Sequence, residues 1–459
     1  MTDVRKCVFG SGEDDGGSVS GTELDSDWEC RIPAYSDDDL CVFHMGAENR
    51  GLAGVADDEV RDAFVRAVEG TEEGEPCRFV GGSFGETVVE KEVLGEDAEV
   101  IDLRNSEFNG KFELNCDVVE ADLLLDDSGL EIFSAPNVVF KGDVSFQGCH
   151  FEGDVILDSA KFEGDVSFEK AKFELQAEFS ETIFGNVSFR LSKHRGAKTN
   201  FKKAGFKGKA RMSRISFNKS DFTGAEFGSS ADFSGTTFGD ETKFQYTTFH
   251  GGVDFGSSDF NANSVFRGAG FARKVSFDDA SFQGWVSFLD VEFNDDVSFE
   301  SVWFRSEIRM VAESTKDAVV KFRGARMGKA SFEIDPRNPV VLDFTRARVG
   351  NLSISVDGGP DNPLNYVRFV ETEFDGFDFS DYADDLSEKS YVIHEDAVKS
   401  EGKVKLPSLE KTYRLAYEGA KGDADSIASK FAKKEGKYRR KKYKENGKIL
   451  RYLLDFLPV

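Results

Sequence analysis

Large apolar residues recur along the central chain with a step of five or six. From Phe140 they fall at Phe146, Phe151, Leu157, Phe162, Phe168, Phe173, Phe179, Phe184 and Phe189. After an interruption they resume at Phe201, Phe206, Met212, Phe217 and Phe222, and run on to Phe304 and Met310. A second ladder of small or β-branched residues runs two positions ahead, at Val144, Cys149, Val155, Ala160, Val166, Ala171 and Ala177, and later at Val275, Ala280, Val286 and Val291. The unit is small-x-Phe-x-x, with an extra residue, often within Gly-Asp-Val, in every second unit. This period suits neither an amphipathic helix nor a simple strand. It suits a chain that turns a corner every five residues, with one large and one small side chain inward and three outward. Such turns stack backbone to backbone at about 4.8 Å. Each touches only its neighbours, so the expected class is an all-β solenoid.

The flanks lack this period. Residues Asp57–Glu69 read as a short amphipathic helix with Val60, Phe64, Val65 and Val68 on one face. It is expected to cap the first coil, whose open edge needs cover, or else to pair with a partner. Near the other end, Ser408 stands before a helical run through Leu409, Tyr413, Leu415 and Ala416, and reads as its N-cap. Gly422-Asp423 reads as a turn, with Asp423 as N-cap of a second helix over 424–446. The expected divisions are 1–55, an acidic Cys/His segment; 56–76, a capping helix and linker; 77–139, degenerate early coils; and 140–310, the regular array. Beyond these lie irregular late coils at 311–380, a linker at 381–406, and a basic helical hairpin with an apolar tail at 407–459.

Val-Ser-Phe-Gln-Gly-Cys-His-Phe at 144–151, Val-Ser-Phe-Glu-Lys-Ala-Lys-Phe at 166–173 and Val-Ser-Phe-Asp-Asp-Ala-Ser-Phe at 275–282 resemble the pentapeptide-repeat proteins. The variant is rich in Phe where the family more often has Leu, and in this it resembles haloarchaeal members. The resemblance implies a right-handed quadrilateral β-helix, four units to a turn, with the central Phe inside. The extra residue reads as a widened corner. At roughly 20–22 residues per coil, 98–380 would make about 13 coils and a rod near about 60 Å long at the strand spacing.

Composition sharpens this reading. The 45 Phe of 459 residues form a column rather than a general allotment, and a hydrophobic share of 39% is adequate for a core. The aromatic content argues against global disorder. Six Cys are too sparse for a disulfide scaffold. The polar, acidic start predicts no signal peptide, and no apolar run is long enough to span a membrane. A cytoplasmic protein, or one peripheral at the inner face of the membrane, is expected.

The net charge of −27 is unevenly spread. Residues 1–100 carry 26 acidic and 8 basic side chains, whereas 399–459 carry 8 acidic and 17 basic ones. Between them, 190–219 holds eleven Lys or Arg and no Asp or Glu. This basic band, Arg190, Lys193, Arg195, Lys198, Lys202, Lys203, Lys207, Lys209, Arg211 and Arg214, with Lys219 at its end, is the candidate partner-binding surface. Its segment Arg190–Asn200 interrupts the ladder and is expected to protrude. Local pairing with acidic coils on either side is the competing account.

Cys7, Cys30, Cys41 and His44 form a candidate three-Cys, one-His set for a structural zinc ion. A small acidic module would gain from such a staple, and unpaired buried thiols beside a surface His are the alternative. The spacing resembles an N-terminal Cys/His segment that precedes some archaeal pentapeptide-repeat arrays. Cys149 sits on the small-residue ladder and reads as packing. Five His, no Gly-x-Ser-x-Gly and no Walker-type motif point away from an enzyme.

The resulting expectation is a non-catalytic scaffold that binds a protein of unknown identity, another anionic ligand or a second copy of itself. One alternative is a sensory or anchoring subunit held at a membrane surface by the basic helix and tail; the helical segment resembles one that leads into a membrane channel-like region in some longer family members. Another is an acidic DNA mimic of a type II topoisomerase substrate, as some family members resemble duplex DNA in width and charge. The pI of about 4.7 argues against nucleic acid as the main partner. Acidity also has a simpler source, a halophilic cytoplasm.

Overall fold

The structure, a computed structural model, describes residues 30, 32, 34, 40–196, 198–316, 318–358, 361–395, 404–422, 424–447 and 451. The chain divides into two compact units, Met1–Ser229 and Ser230–Val459, each taken here by itself.

Both units are β-solenoids of short parallel strands. In the first unit, one face stacks Val144–Ser145, Val166–Ser167, Val187–Ser188 and Ala210–Arg211 in parallel register. A second stacks His150–Phe151, Lys172–Phe173, Lys193–His194 and Ser216–Phe217. The third and fourth carry Val155–Ile156 to Ser220–Asp221 and Lys161–Phe162 to Glu226–Phe227. Each strand is only two residues long because the chain must turn again. Backbone bonds join one coil to the next, as from Phe146 N–H to the Ser167 carbonyl at 2.7 Å.

Corners alternate in build. The five-residue steps turn through a residue of left-handed conformation, such as Gly148 (φ 73°), Lys170 (φ 61°) or Arg214 (φ 57°). A bond across the turn closes each, as from Cys149 N–H to the Phe146 carbonyl at 3.2 Å. The six-residue steps take the wider corner, and Gly-Asp-Val lies there. The extra residue is therefore a corner residue, as expected.

Inside, the phenyl rings stack along each face. In the first unit Phe146, Phe168 and Phe189 follow one another at 4.8 and 4.7 Å, and Phe179, Phe201 and Phe222 at 4.9 Å. In the second, Phe233, Phe255, Phe277 and Phe299 follow at 4.9, 4.8 and 4.8 Å. Stacking neighbours lie about one strand spacing apart, which suits offset aromatic contact. The small ladder fills the space beside them. Some of its hydroxyls bond back to the previous coil, as Ser128 Oγ does to the Leu103 carbonyl (2.9 Å) and Ser258 Oγ to the Phe233 carbonyl (2.8 Å). Cys149 takes this place, fully buried with Sγ 2.8 Å from the Leu125 carbonyl. Burial pushes its thiol well above the ordinary range, so it is a packing group.

The expected protruding loop at Arg190–Asn200 is not there. The coil continues through Lys193–His194 and Thr199–Asn200, and His194 occupies the rung. Its imidazole stacks on Phe173 at 4.3 Å and 11°. Ser192 Oγ and Thr199 Oγ1 each lie 3.0 Å from its ring nitrogens. A flat ring with both polar atoms satisfied substitutes for phenyl, and the inward column is unbroken.

The coils near the far ends of the array use longer strands. Trp303–Glu313, Arg326–Ile334 and Arg348–Val356 pair in parallel in the second unit, and Thr87–Leu94 with Glu107–Val119 in the first. Arg326–Ile334 buries Met327, Ala330, Phe332 and Ile334, a near-alternating pattern that lets the strand run on without a tight corner.

Helices close both units. In the first, α1 (Ala47–Ala53) and α2 (Asp57–Glu69) lie over the first coil, with Val60, Phe64 and Val68 of α2 buried and Phe64 4.9 Å from Phe79. In the second, α3 (Ala383–Glu388) lies within the stretch expected as a linker, and Leu386 is buried there. Next, α4 (Leu406–Ala420) and α5 (Asp425–Glu445) form the hairpin and pack on the last coil. Phe431 of α5 meets Phe379 at 5.1 Å, and Gly419 of α4 lies so close to Phe374 that a Cβ there would stand 2.5 Å from that side chain. Ser408 is not the N-cap. Lys405 is, and Pro407 sits in the first turn, where its fixed φ suits the helix and its missing N–H costs nothing. Asp423 lies outside the described residues.

Candidate functional site

Two groups of side chains stand out from this framework. The first is the basic band, which splits in two. Five cations pair with acids on the coils above or below. Arg190 reaches Glu169 at 3.8 Å, Arg195 reaches Glu174 at 3.0 Å and Lys203 reaches Glu181 at 3.0 Å. Lys198 and Lys202 approach the same carboxylate, Asp221, at 3.6 and 3.4 Å. Burial alone would raise the Asp221 carboxyl, but bonds from Thr223 and the charges of Lys202 and Lys198 outweigh it and hold it below its ordinary value. Half of the band is thus explained by local pairing across coils.

The other half is not. Lys193, Lys207, Lys209, Arg211 and Arg214 are all exposed, and among the described residues none of them forms an ion pair. They come from different parts of one turn. Lys207 and Lys209 flank the corner after Phe206, Arg211 is outward on the next face, and Arg214 is the left-handed corner residue beyond it. Beside Lys207 the surface dips into an open groove of about 480 Å³, bordered by Lys203, Ile183, Gly205 and Glu226. Gly205 stands in register between Ile183 and Glu226. A Cβ there would meet only Ile183 Cγ1, at 3.9 Å, so packing does not require glycine at this position and the dip is a property of the sequence.

The second group is Cys30, Cys41 and His44, whose ligand atoms all lie within 4.8 Å of one another. They are buried under the cap of the first unit. Cys41 and His44 are brought together by a tight turn in which His44 N–H and Met45 N–H both donate to the Cys41 carbonyl, at 3.0 and 3.1 Å. Cys30 arrives from eleven residues earlier. These three residues could hold a metal ion. Cys7, the fourth member of the expected set, lies outside the described residues.

Two His residues elsewhere, His194 and His394, serve the fold. Burial drives the His194 pKa down to about 3, so its ring is neutral at ordinary pH. His394 bonds to Tyr413 Oη at 2.9 Å where the hairpin meets the last coil, and burial lowers it too. Sequence reasoning passed over both, although His194 has a visible signal: it follows Phe189 by five residues, as a rung should.

The repeat can now be compared with known families. The family described as pentapeptide repeats (9 copies) matches residues 135–174, 146–193 and 201–248. Residues 135–193 and 201–248 are pentapeptide repeats. No curated protein and no solved structure matches the chain. The pentapeptide-repeat match takes in Arg190 and Lys193 and then Lys202 to Arg214, so most of the basic band lies on the surface of ordinary repeats. Among the described residues no helix is long and apolar enough to cross a membrane.

Proposed function

We propose that this pentapeptide-repeat solenoid is a non-catalytic interaction scaffold, and that it docks an anionic protein on the unpaired part of its basic band. The observation that carries the reading is the split within the band. Lys207, Lys209, Arg211 and Arg214 are exposed, form no ion pair among the described residues, and are mounted on a coil whose interior is filled by stacked rings. The rigid coil fixes the spacing of these cations, and complementary charge speeds encounter and sets register. The groove at Gly205 gives the same surface relief, which a partner side chain can fill.

The alternatives have less support. A membrane anchor would use the lysines of α5, of which Lys430, Lys433, Lys437, Lys441 and Lys444 are exposed at helical spacing. The apolar face of that helix is already occupied, with Ile427, Ala428 and Phe431 buried. Electrostatics alone would have to hold it to a membrane. The apolar tail, apart from Arg451, lies outside the described residues. A mimic of duplex DNA would need an anionic surface where the band puts cations.

The test is affinity capture from a native lysate with the intact chain and with a variant carrying Lys207→Glu, Lys209→Glu, Arg211→Glu and Arg214→Glu. A second variant carries Arg273→Glu alone, an exposed cation outside the band. Specific partners should be captured by the intact chain and by Arg273→Glu, and lost from the fourfold variant. Capture unchanged by the fourfold reversal sinks the proposal.

A further inference from the structure

We propose that Cys30, Cys41 and His44 hold a zinc ion that staples the capping segment to the first coil. The donors are two thiols and an imidazole, the set that zinc and other borderline-soft ions select over calcium or magnesium. The Cys30 and Cys41 sulfurs are 3.8 Å apart. Two thiolates on a tetrahedral zinc, each bonded at about 2.3 Å, stand about 3.8 Å apart. Cys41 Sγ lies 3.1 Å from His44 Nδ1, a few tenths of an ångström inside the spacing that ligation would set. Binding needs only a small opening of this pair.

The second observation is on the far side of the imidazole. His44 Nε2 lies 3.0 Å from the Val80 carbonyl, which can only accept. The proton is therefore on Nε2, and the Nδ1 lone pair faces the two sulfurs. A backbone carbonyl that orients the imidazole in this way is the usual outer partner of a metal-bound His. Charge fits as well. Two thiolates and a neutral imidazole around a dication sum to zero, which removes most of the cost of burying the ion. Three donors leave one of zinc's four positions to a further ligand.

The contacts around the cluster say what the ion does. Phe43, between the two ligands from the turn, packs on Phe79 and Phe84 at 5.0 and 5.6 Å, and its carbonyl accepts from Ser83 N–H at 2.6 Å. Arg50 donates to the carbonyls of Met45 (2.8 Å) and Ser83 (2.5 Å). Through His44 and Val80 the ion is one bond from the first coil, and through Cys30 it ties in a position eleven residues before Cys41. Such a metal link couples binding to folding.

The experiment uses the full chain, produced with zinc in the medium and purified under reductant without chelator. Mass-spectrometric metal analysis should find one zinc per chain. Cys41→Ser should lose it, His44→Cys should keep it, and Cys149→Ser, a buried thiol of the ladder, should also keep it. Cobalt substitution of the unaltered chain should give a thiolate charge-transfer band, which does not depend on any variant folding. Stripping the zinc should speed hydrogen exchange at the Ser83 amide by about tenfold or more, because that amide is held by the capping segment. A chain without stoichiometric zinc and without the cobalt band overturns the site, as does a Cys30–Cys41 disulfide in its place. Unchanged exchange at Ser83 in the stripped chain overturns the stapling role.

Discussion

The coil at 189–211 and the coil at 255–277 have nearly the same interior and differently charged exteriors. The first stacks Phe189, His194, Phe201 and Phe206, and the second Phe255, Phe260, Phe266 and Phe271, all buried. Outward, every charged side chain of the first is a cation, eight between Lys193 and Arg211 alone, whereas the second has only Asp259, Arg267, Arg273 and Lys274. The difference teaches how labour is divided in this repeat. Two positions in five specify the coil and are nearly closed to change. The other three are held out on a backbone that they do not determine, so charge can be written there without altering the fold.

The comparison is broken most severely from inside. Phe255 lies between Phe233 and Phe277, with further edge contacts to Phe244 and Phe266. Phe255→Ala removes a ring from a stack that cannot close over the gap, because the backbone bonds fix the coil spacing. The expected loss is about 3–5 kcal/mol by urea denaturation. A loss below about 1 kcal/mol would mean that the column does not carry the stability assigned to it.

His194 gives a sharper version of the same test, because one column holds a titratable ring. Its pKa is about 3 when folded, against an ordinary value of 6.5. The unfolded chain therefore binds a proton that the folded chain refuses. Stability is complete above pH 6.5 and falls as the pH drops below it, by about 1.4 kcal/mol per unit. At pH 5 the deficit from this residue is about 2 kcal/mol. His194→Phe keeps the stacked ring and removes the proton site, so the variant should lose this slope between pH 7 and 5. Equal slopes for the two chains would show that His194 is not buried neutral.

How far the sequence disclosed this follows from which forces have a period. The solenoid was legible because a ring and a small residue must recur every five or six positions, and nothing else gives that spacing. The pairing of the band was legible in principle. Arg195 and Glu174 are 21 residues apart and Lys203 and Glu181 are 22 apart, one coil in each case. His194 was hidden because an imidazole does not count as apolar until Ser192 and Thr199 are seen to satisfy it. The long strands at 326–334 and 348–356 were hidden because their burial shifts towards alternation, a different period from the array. Of the Cys/His cluster, Cys41 and His44 were visible as a pair on one turn. The approach of Cys30 and the orienting Val80 carbonyl are tertiary facts, and no local pattern announces them.

The smallest expected effect on stability is the one that matters most for function. Lys207, Lys209, Arg211 and Arg214 point outward and form no ion pair among the described residues, so reversing them should remove little that the fold uses. Each reversal should change stability by no more than about 0.5 kcal/mol, read from urea midpoints. Lys202→Glu differs in kind, because it would set a second carboxylate beside Asp221, which is 4% exposed and is held ionised by Thr223 together with Lys202 and Lys198. That single change should cost more than any one reversal in the unpaired group. If it does, loss of a partner by the fourfold variant reports a lost surface and not a damaged coil. If the fourfold variant is the less stable of the two, those cations serve the solenoid itself, and the division between inner and outer positions fails at the place where function was assigned to it.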